Sequence, residues 1–192
     1  MNNKIILDLC GGTGAWSKPY KDAGYDVRLI TLPNHDVGAY FSPENVHGIL
    51  AAPPCTMFSL ARTRAREPRS FKKGMREVKA CLEIIWECRD KGSLKWWALE
   101  NPRGFLRQFL GKPALTWRPS DFGDAYTKPT DLWGYFREPK KRPVEVIKPK
   151  GRVLGGTRDW SFAKKGRDGL TRQQIRSMTP PGFAKAFFEA NR

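Results

Sequence analysis

The chain has 192 residues, 40% hydrophobic and 12% aromatic with seven Trp, which suits one domain with a real core and excludes a disordered basic tail. Lys and Arg number 35 against 19 Asp and Glu, a net charge of +16 that points to a polyanionic partner, most simply nucleic acid. No apolar run approaches the roughly 18–20 residues of a membrane span, and Met1–Leu9 lacks a signal-peptide layout, so a soluble cytoplasmic protein with no membrane contact and four reduced Cys is expected.

Lys4–Leu9 is a short apolar run of the kind that forms a buried parallel strand, and Gly11–Gly14 follows it at once. Ser17–Ala23 reads as a helix closed by Gly24, Tyr25–Ile30 as a second strand, and Pro33–Asp36 as the loop after it. Val46–Ala52 is a third buried strand that ends abruptly in Pro53, Pro54 and Cys55. Phe71–Asp90 reads as a long helix with Val78, Leu82, Ile85 and Trp86 on one face, stopped at Lys91–Gly92. Lys95–Glu100 is the next strand, running into Asn101 and Pro102. Ala114–Trp117 and Asp131–Phe136 read as further strands, Pro139–Thr157 as irregular, and Gly182–Ala190 as a closing helix. Strands alternating with helices predict a three-layer α/β fold with a mostly parallel sheet.

The charge is concentrated. Arg62–Lys79 holds eight basic residues against two acidic ones, and Arg137–Arg176 holds thirteen against four, so these two stretches carry +15 of the +16. The remainder is close to neutral. Phosphate contact explains two separated clusters better than a merely soluble surface does. The candidates are Arg62, Arg64, Arg66, Arg69, Lys72 and Lys73 in the first stretch, and Lys140, Lys141, Arg142, Lys164 and Lys165 in the second.

In open α/β sheets ligands bind beyond the carboxyl ends of the strands. Four chemically suggestive groups stand at such ends here: the glycine turn, Asp36, Cys55, and Glu100 with Asn101. Glycines after a strand permit a tight turn and close approach of a ligand, although most such turns are only turns. Cys55 reads either as an ordinary buried thiol or as a nucleophile fixed by two prolines, its pKa lowered by the basic loop that follows. Glu100 ends a very apolar strand, which predicts a raised pKa suited to proton sharing, the alternative being a solvated acid. His35 and His47 are isolated and no paired Cys spacing exists, so no metal site is expected.

The order of these motifs resembles that of the DNA cytosine-5 methyltransferases. Asp8–Gly14 is similar to that family's S-adenosylmethionine loop, and His35–Val37 to the segment whose Asp meets the adenine. Pro53–Ser59 resembles the nucleophile motif Pro-Cys-x-x-Phe-Ser, Glu100–Pro102 the Glu-Asn-Val motif, Lys128–Trp133 a late basic motif, and Pro180–Pro181 the closing one. The resemblance covers about residues 4–136 and 176–190. It implies a Rossmann-like S-adenosylmethionine-dependent methyltransferase fold with S-adenosyl-L-methionine held by Asp8, Cys10, Gly11, Gly12, Gly14, Asp36 and Pro53. It also implies catalysis by Cys55, Glu100 and Lys128 on a flipped cytosine in DNA.

Thr31 or Leu32 stands where the family carries an acid for the ribose hydroxyls, and only a short basic stretch stands where it carries a target-recognition region. The implied organisation is a catalytic core at 1–136, a basic nucleic-acid-contacting insert at 137–176, and a terminal helix at 177–192. Relaxed sequence specificity, or dependence on a protein partner, is the expectation. Two alternatives stay open: a related pyrimidine carbon-5 modification of RNA or another nucleic acid, and a weak or silent nucleic-acid-binding member of the family.

Overall fold

A computed structural model describes residues 4–63, 65–146 and 169–192. Its strands are β1 (Ile5–Leu9), β2 (Asp26–Ile30), β3 (Val46–Ala51), β4 (Trp96–Pro102), β5 (Leu115–Trp117) and β6 (Thr130–Tyr135), joined in one sheet of order β2-β1-β3-β4-β6-β5. The first four run parallel, while β6 is antiparallel to both β4 and β5. The helices are α1 (Lys18–Asp22), α2 (Phe71–Asp90), α3 (Arg107–Leu110), α4 (Arg172–Ser177) and α5 (Pro181–Ala190).

Strand alternation divides the core into two layers. On one face Leu7, Leu9, Ile49, Ala51 and Leu99 pack with Val78, Cys81 and Ile85 of α2. On the other, Ile6, Leu50, Trp96 and Ala98 pack with Trp16, Tyr20, Phe183 and Phe187 from the α1 and α5 side. Trp117 stacks on Phe183 at 3.7 Å between ring centroids, and Tyr20 lies edge-on to Tyr25 and Phe188. Gly48 sits opposite Trp96 in the register, and the indole occupies the space a Cβ there would need. Burying Phe183 completely contributes about 1.5–3 kcal/mol.

The helix over Phe71–Asp90 forms with the expected bounds, capped by Ser70 Oγ, which accepts from the Lys73 amide at 3.2 Å. Its buried stripe corrects the expected face. Gly74, Val78, Cys81, Ile85 and Cys88 point inward, whereas Trp86 is 55% exposed, because it lies about a third of a turn round from the middle of that stripe. Helices α3 and α4 have no counterpart in the elements expected above. Among the described residues no helix is long and apolar enough to cross a membrane.

Strand order reverses between β1 and β3, which grow outward to β2 on one side and β4 on the other. The loops leaving β1 and β3 therefore part at this point and open a crevice at the carboxyl edge of the sheet.

Candidate active site

Beyond β1 the chain turns through Cys10, Gly12 and Gly14, all with positive φ (57°, 59° and 72°). The Cys10 amide donates to the Ile30 carbonyl at 2.7 Å, and Gly14 donates to Gly11 at 3.0 Å, closing the turn. A Cβ at Gly11 would strike the Asp8 carboxylate, while one at Gly12 would meet nothing within 4 Å. The backbone is thus packed from below and bare above. Asp8 itself is fully buried: Ser17 Oγ donates to its Oδ2, and its Oδ1 has no partner. Burial pushes its pKa up to about 6, against the lowering effect of Ser17. The Cys10 side chain packs into the α2-side core, so this residue offers the crevice its backbone.

Past β2, Asp36 is exposed and its Oδ1 accepts from the Gly38 amide at 2.9 Å, which starts a short 3-10 turn at Val37–Ala39. Past β3, the Pro53 carbonyl accepts from Asn101 Nδ2 at 2.9 Å. That bond ties the Cys55 loop to the end of β4, and Asn101 Oδ1 is left buried without a partner. Residues 55–59 close a turn in which the Cys55 carbonyl accepts from Phe58 and Ser59 at 3.0 and 2.8 Å.

Cys55 and Glu100 come together here, joined by Lys128 at the entry to β6 and by Arg176 at the end of α4. The Lys128 Nζ donates to the Arg176 carbonyl at 3.3 Å. Burial raises the Cys55 pKa, the Glu100 carboxylate raises it further, and Lys128 and Arg176 pull it down. This reverses the expectation that the basic loop would lower it, because none of the described cations of Arg62–Lys79 is among the charges that act on the thiol. Burial likewise raises Glu100, with Lys128 opposing it. That direction agrees with its position at the end of an apolar strand.

Arg69 departs most from the role expected of it. Its guanidinium donates to the Met57 carbonyl at 2.9 Å and the Ser59 carbonyl at 2.8 Å and lies 4.9 Å over the Phe105 ring. It braces the Cys55 loop, and those donors are no longer available to a phosphate. Arg62 donates to the Glu67 carbonyl at 2.7 Å; Arg66, Lys72 and Lys73 are exposed, and Arg64 lies outside the described residues.

The second cluster is split. Antiparallel β6 carries the chain away from Cys55, and Arg137 meets Asn191 at the far end of α5, its amide donating to Asn191 Oδ1 at 2.8 Å. Lys140, Lys141 and Arg142 then run exposed along α5, with Arg142 Nη2 3.8 Å from Glu189. Lys164 and Lys165 lie outside the described residues. Arg176, not among the candidates above, is the one described cation of Arg137–Arg176 that acts on the Cys55 thiol. The capping pair Thr171 and Gln174 could have signalled the helix that delivers it.

Among the described residues no cluster of three or more His, Cys, Asp or Glu could hold a metal ion. No protein-family model matches the chain, and no curated protein matches it at a significant level. What this arrangement offers chemically is a half-buried thiol, an acid of raised pKa beside it, two cations, and a bare glycine turn across the crevice.

Proposed function

We propose that the protein is an S-adenosyl-L-methionine-dependent methyltransferase that modifies carbon 5 of cytosine in DNA. The observation that carries this reading is the pairing of Cys55 with Glu100 at the ends of neighbouring parallel strands, next to the glycine turn of β1. A methyltransferase of the Rossmann-like class is compatible with the mixed sheet and its switch point.

Cytosine carbon 5 is a poor nucleophile. Addition of the Cys55 thiolate to carbon 6 gives carbon 5 enamine character, and Glu100, favoured in its protonated form by burial, holds a proton at nitrogen 3 as the ring accepts electron density. Asn101 keeps the two loops in register through Pro53, and Arg69 keeps the nucleophile turn closed. Lys128 offsets negative charge at both reacting groups. Release is an elimination: solvent takes the carbon 5 proton, the 5,6 double bond re-forms, and the carbon 6–sulfur bond breaks with Cys55 leaving as thiolate.

The fit of the cofactor rests on the open space above Gly12 and on the second carboxylate oxygen of Asp36. Residues 10–14 and Asp36 would hold S-adenosyl-L-methionine, which when bound supplies an electrophilic methyl group. The base reaches this crevice only when flipped from the duplex. The exposed cations Arg66, Lys72 and Lys73, with half-buried Arg62, flank the loop that would meet the strand.

The test is Cys55→Ser. Tritiated-methyl transfer to DNA should vanish while DNA affinity stays within about twofold; retained transfer refutes the mechanism. Parallel incubation with RNA identifies the polymer, and nucleoside mass spectrometry identifies the base.

A further inference from the structure

Arg103 has no part in the reading above. It follows the last residue of β4, three past Glu100, and the backbone around it is fixed from two sides. Its own amide donates to the Pro129 carbonyl at 2.9 Å, which ties it to the residue after Lys128. The next residue, Gly104, bridges to Ser59, and the Phe105 amide donates to the Phe58 carbonyl at 2.9 Å. A Cβ at Gly104 would strike the Phe58 carbonyl, so only glycine lets this segment lie against the Cys55 turn. Residues 55–63, 100–107 and 128–130 thus interlock around Arg103 and form the lip of the crevice. They carry four cations. Arg62 donates to the Glu67 carbonyl, Arg107 to the buried Asp131 carboxylate, and Lys128 to the Arg176 carbonyl. Arg103 is exposed, and among the described residues no carboxylate or carbonyl takes up its guanidinium.

We propose that Arg103 is a binding residue that grips a phosphate of the strand whose base enters the crevice. The inference rests on the crevice being the seat of a flipped base. A nucleotide leaves the stack by rotating about its backbone, so its flanking phosphates move with it and meet the lip. A guanidinium presents its donors as a planar fork that matches two phosphate oxygens, and one mounted there holds the rotated backbone in place. Arg69 and Arg103 divide the work. Arg69 spends its donors on the Met57 and Ser59 carbonyls and braces the loop from within, whereas Arg103 keeps its donors for a ligand on a backbone that the same loop holds rigid. Such a contact positions the strand without reading its sequence.

The experiment is the salt dependence of DNA binding by the full chain, read by fluorescence anisotropy on two duplexes of equal length. One carries a single unpaired cytosine and the other only A·T pairs. On the first, Arg103→Gln is expected to make the slope of log affinity against log salt shallower by about 0.9, the share of one phosphate. That is about eightfold weaker binding at about 0.1 M salt, converging on wild type near about 1 M. Arg103→Lys should restore the wild-type slope, and the A·T duplex, which offers no cytosine to flip, should show no difference. The melting temperature should stay put, because the bond to Pro129 belongs to the backbone. An R103Q slope equal to that of wild type overturns the proposal and leaves the Cys55 reading standing, even where methyl transfer falls. An equal loss on both duplexes, or an R103K slope as shallow as that of R103Q, overturns it too. A cytosine-dependent loss in a chain that transfers no methyl group supports the phosphate contact and refutes the methyltransferase reading instead.

Discussion

Glu100→Gln is expected to push two properties of Cys55 in opposite directions. The Glu100 carboxylate is the second largest cause, after burial, of the raised thiol pKa, and Gln keeps the shape while removing the charge. A neighbouring like charge is worth on the order of one pKa unit, so the alkylation midpoint should fall by about that much. Below the midpoint the thiolate fraction then rises about tenfold. Intrinsic nucleophilicity falls by about threefold for the same drop in pKa, leaving a net acceleration of roughly threefold. Methyl transfer should nevertheless drop by about 10²- to 10⁴-fold, because the proton needed at nitrogen 3 is gone. Peptide-resolved alkylation reads the first quantity and tritiated-methyl incorporation the second. An E100Q protein that alkylates no faster and transfers methyl groups undiminished would refute the coupling on which the site is built.

Four further outcomes are expected. Because Asp8 is raised to about 6 when folded, above its ordinary value of 3.8, the native state binds its proton more tightly than the unfolded chain does. Stability should therefore decline by about 3 kcal/mol as pH rises from about 4 to above 6; Asp8→Asn should flatten this trend in melting temperature, and an unaltered slope argues against it. Arg69→Ala should lower the melting temperature and methyl transfer while leaving the salt slope of DNA binding unchanged; a slope reduced by about one would make it a phosphate contact after all. Gly48→Ala forces a Cβ into the Trp96 ring and should cost about 1–3 kcal/mol, seen as a lower urea midpoint. DNA affinity measured by fluorescence anisotropy should fall steeply with salt, and a flat titration would remove nucleic acid as the partner.

Apolar periodicity made the body of the fold legible. β1, β3, β4 and α2 bury long runs of Ile, Leu, Val and Trp, and their bounds follow from those runs within a residue or two. The strand ends Asp8, Cys55 and Glu100 were readable for the same reason, since chemistry at a carboxyl edge interrupts an apolar pattern. Helix α4 was not legible by that route: Arg172–Ser177 has one aliphatic residue in six and is held by its cap and by Lys128. The direction of the Cys55 pKa is not legible in the sequence, because proximity to a basic loop says nothing about where the guanidinium groups point. Arg69 turns its charge onto carbonyls, whereas Arg176, more than a hundred residues away in sequence, acts on the thiol.

Asn191 holds three distant parts of the chain at once. Its side chain exchanges hydrogen bonds with the Arg137 amide and carbonyl, its Nδ2 also reaches the Phe187 carbonyl, and its own carbonyl accepts from Tyr20 at 3.2 Å. It thereby anchors the end of α5, whose Phe183 and Phe187 cover the face of β1 that carries Ile6. Trp16 and Tyr20 cover part of that face from nearby in the chain, but its cover is complete only when α5 packs against it. Folding must then close loops spanning most of the chain, which is entropically costly and slow. Until α5 docks, Ile6, Tyr20 and Trp96 lack their Phe183, Phe187 and Phe188 neighbours, so a chain from which α5 has come undone exposes an aromatic face and becomes prone to aggregate.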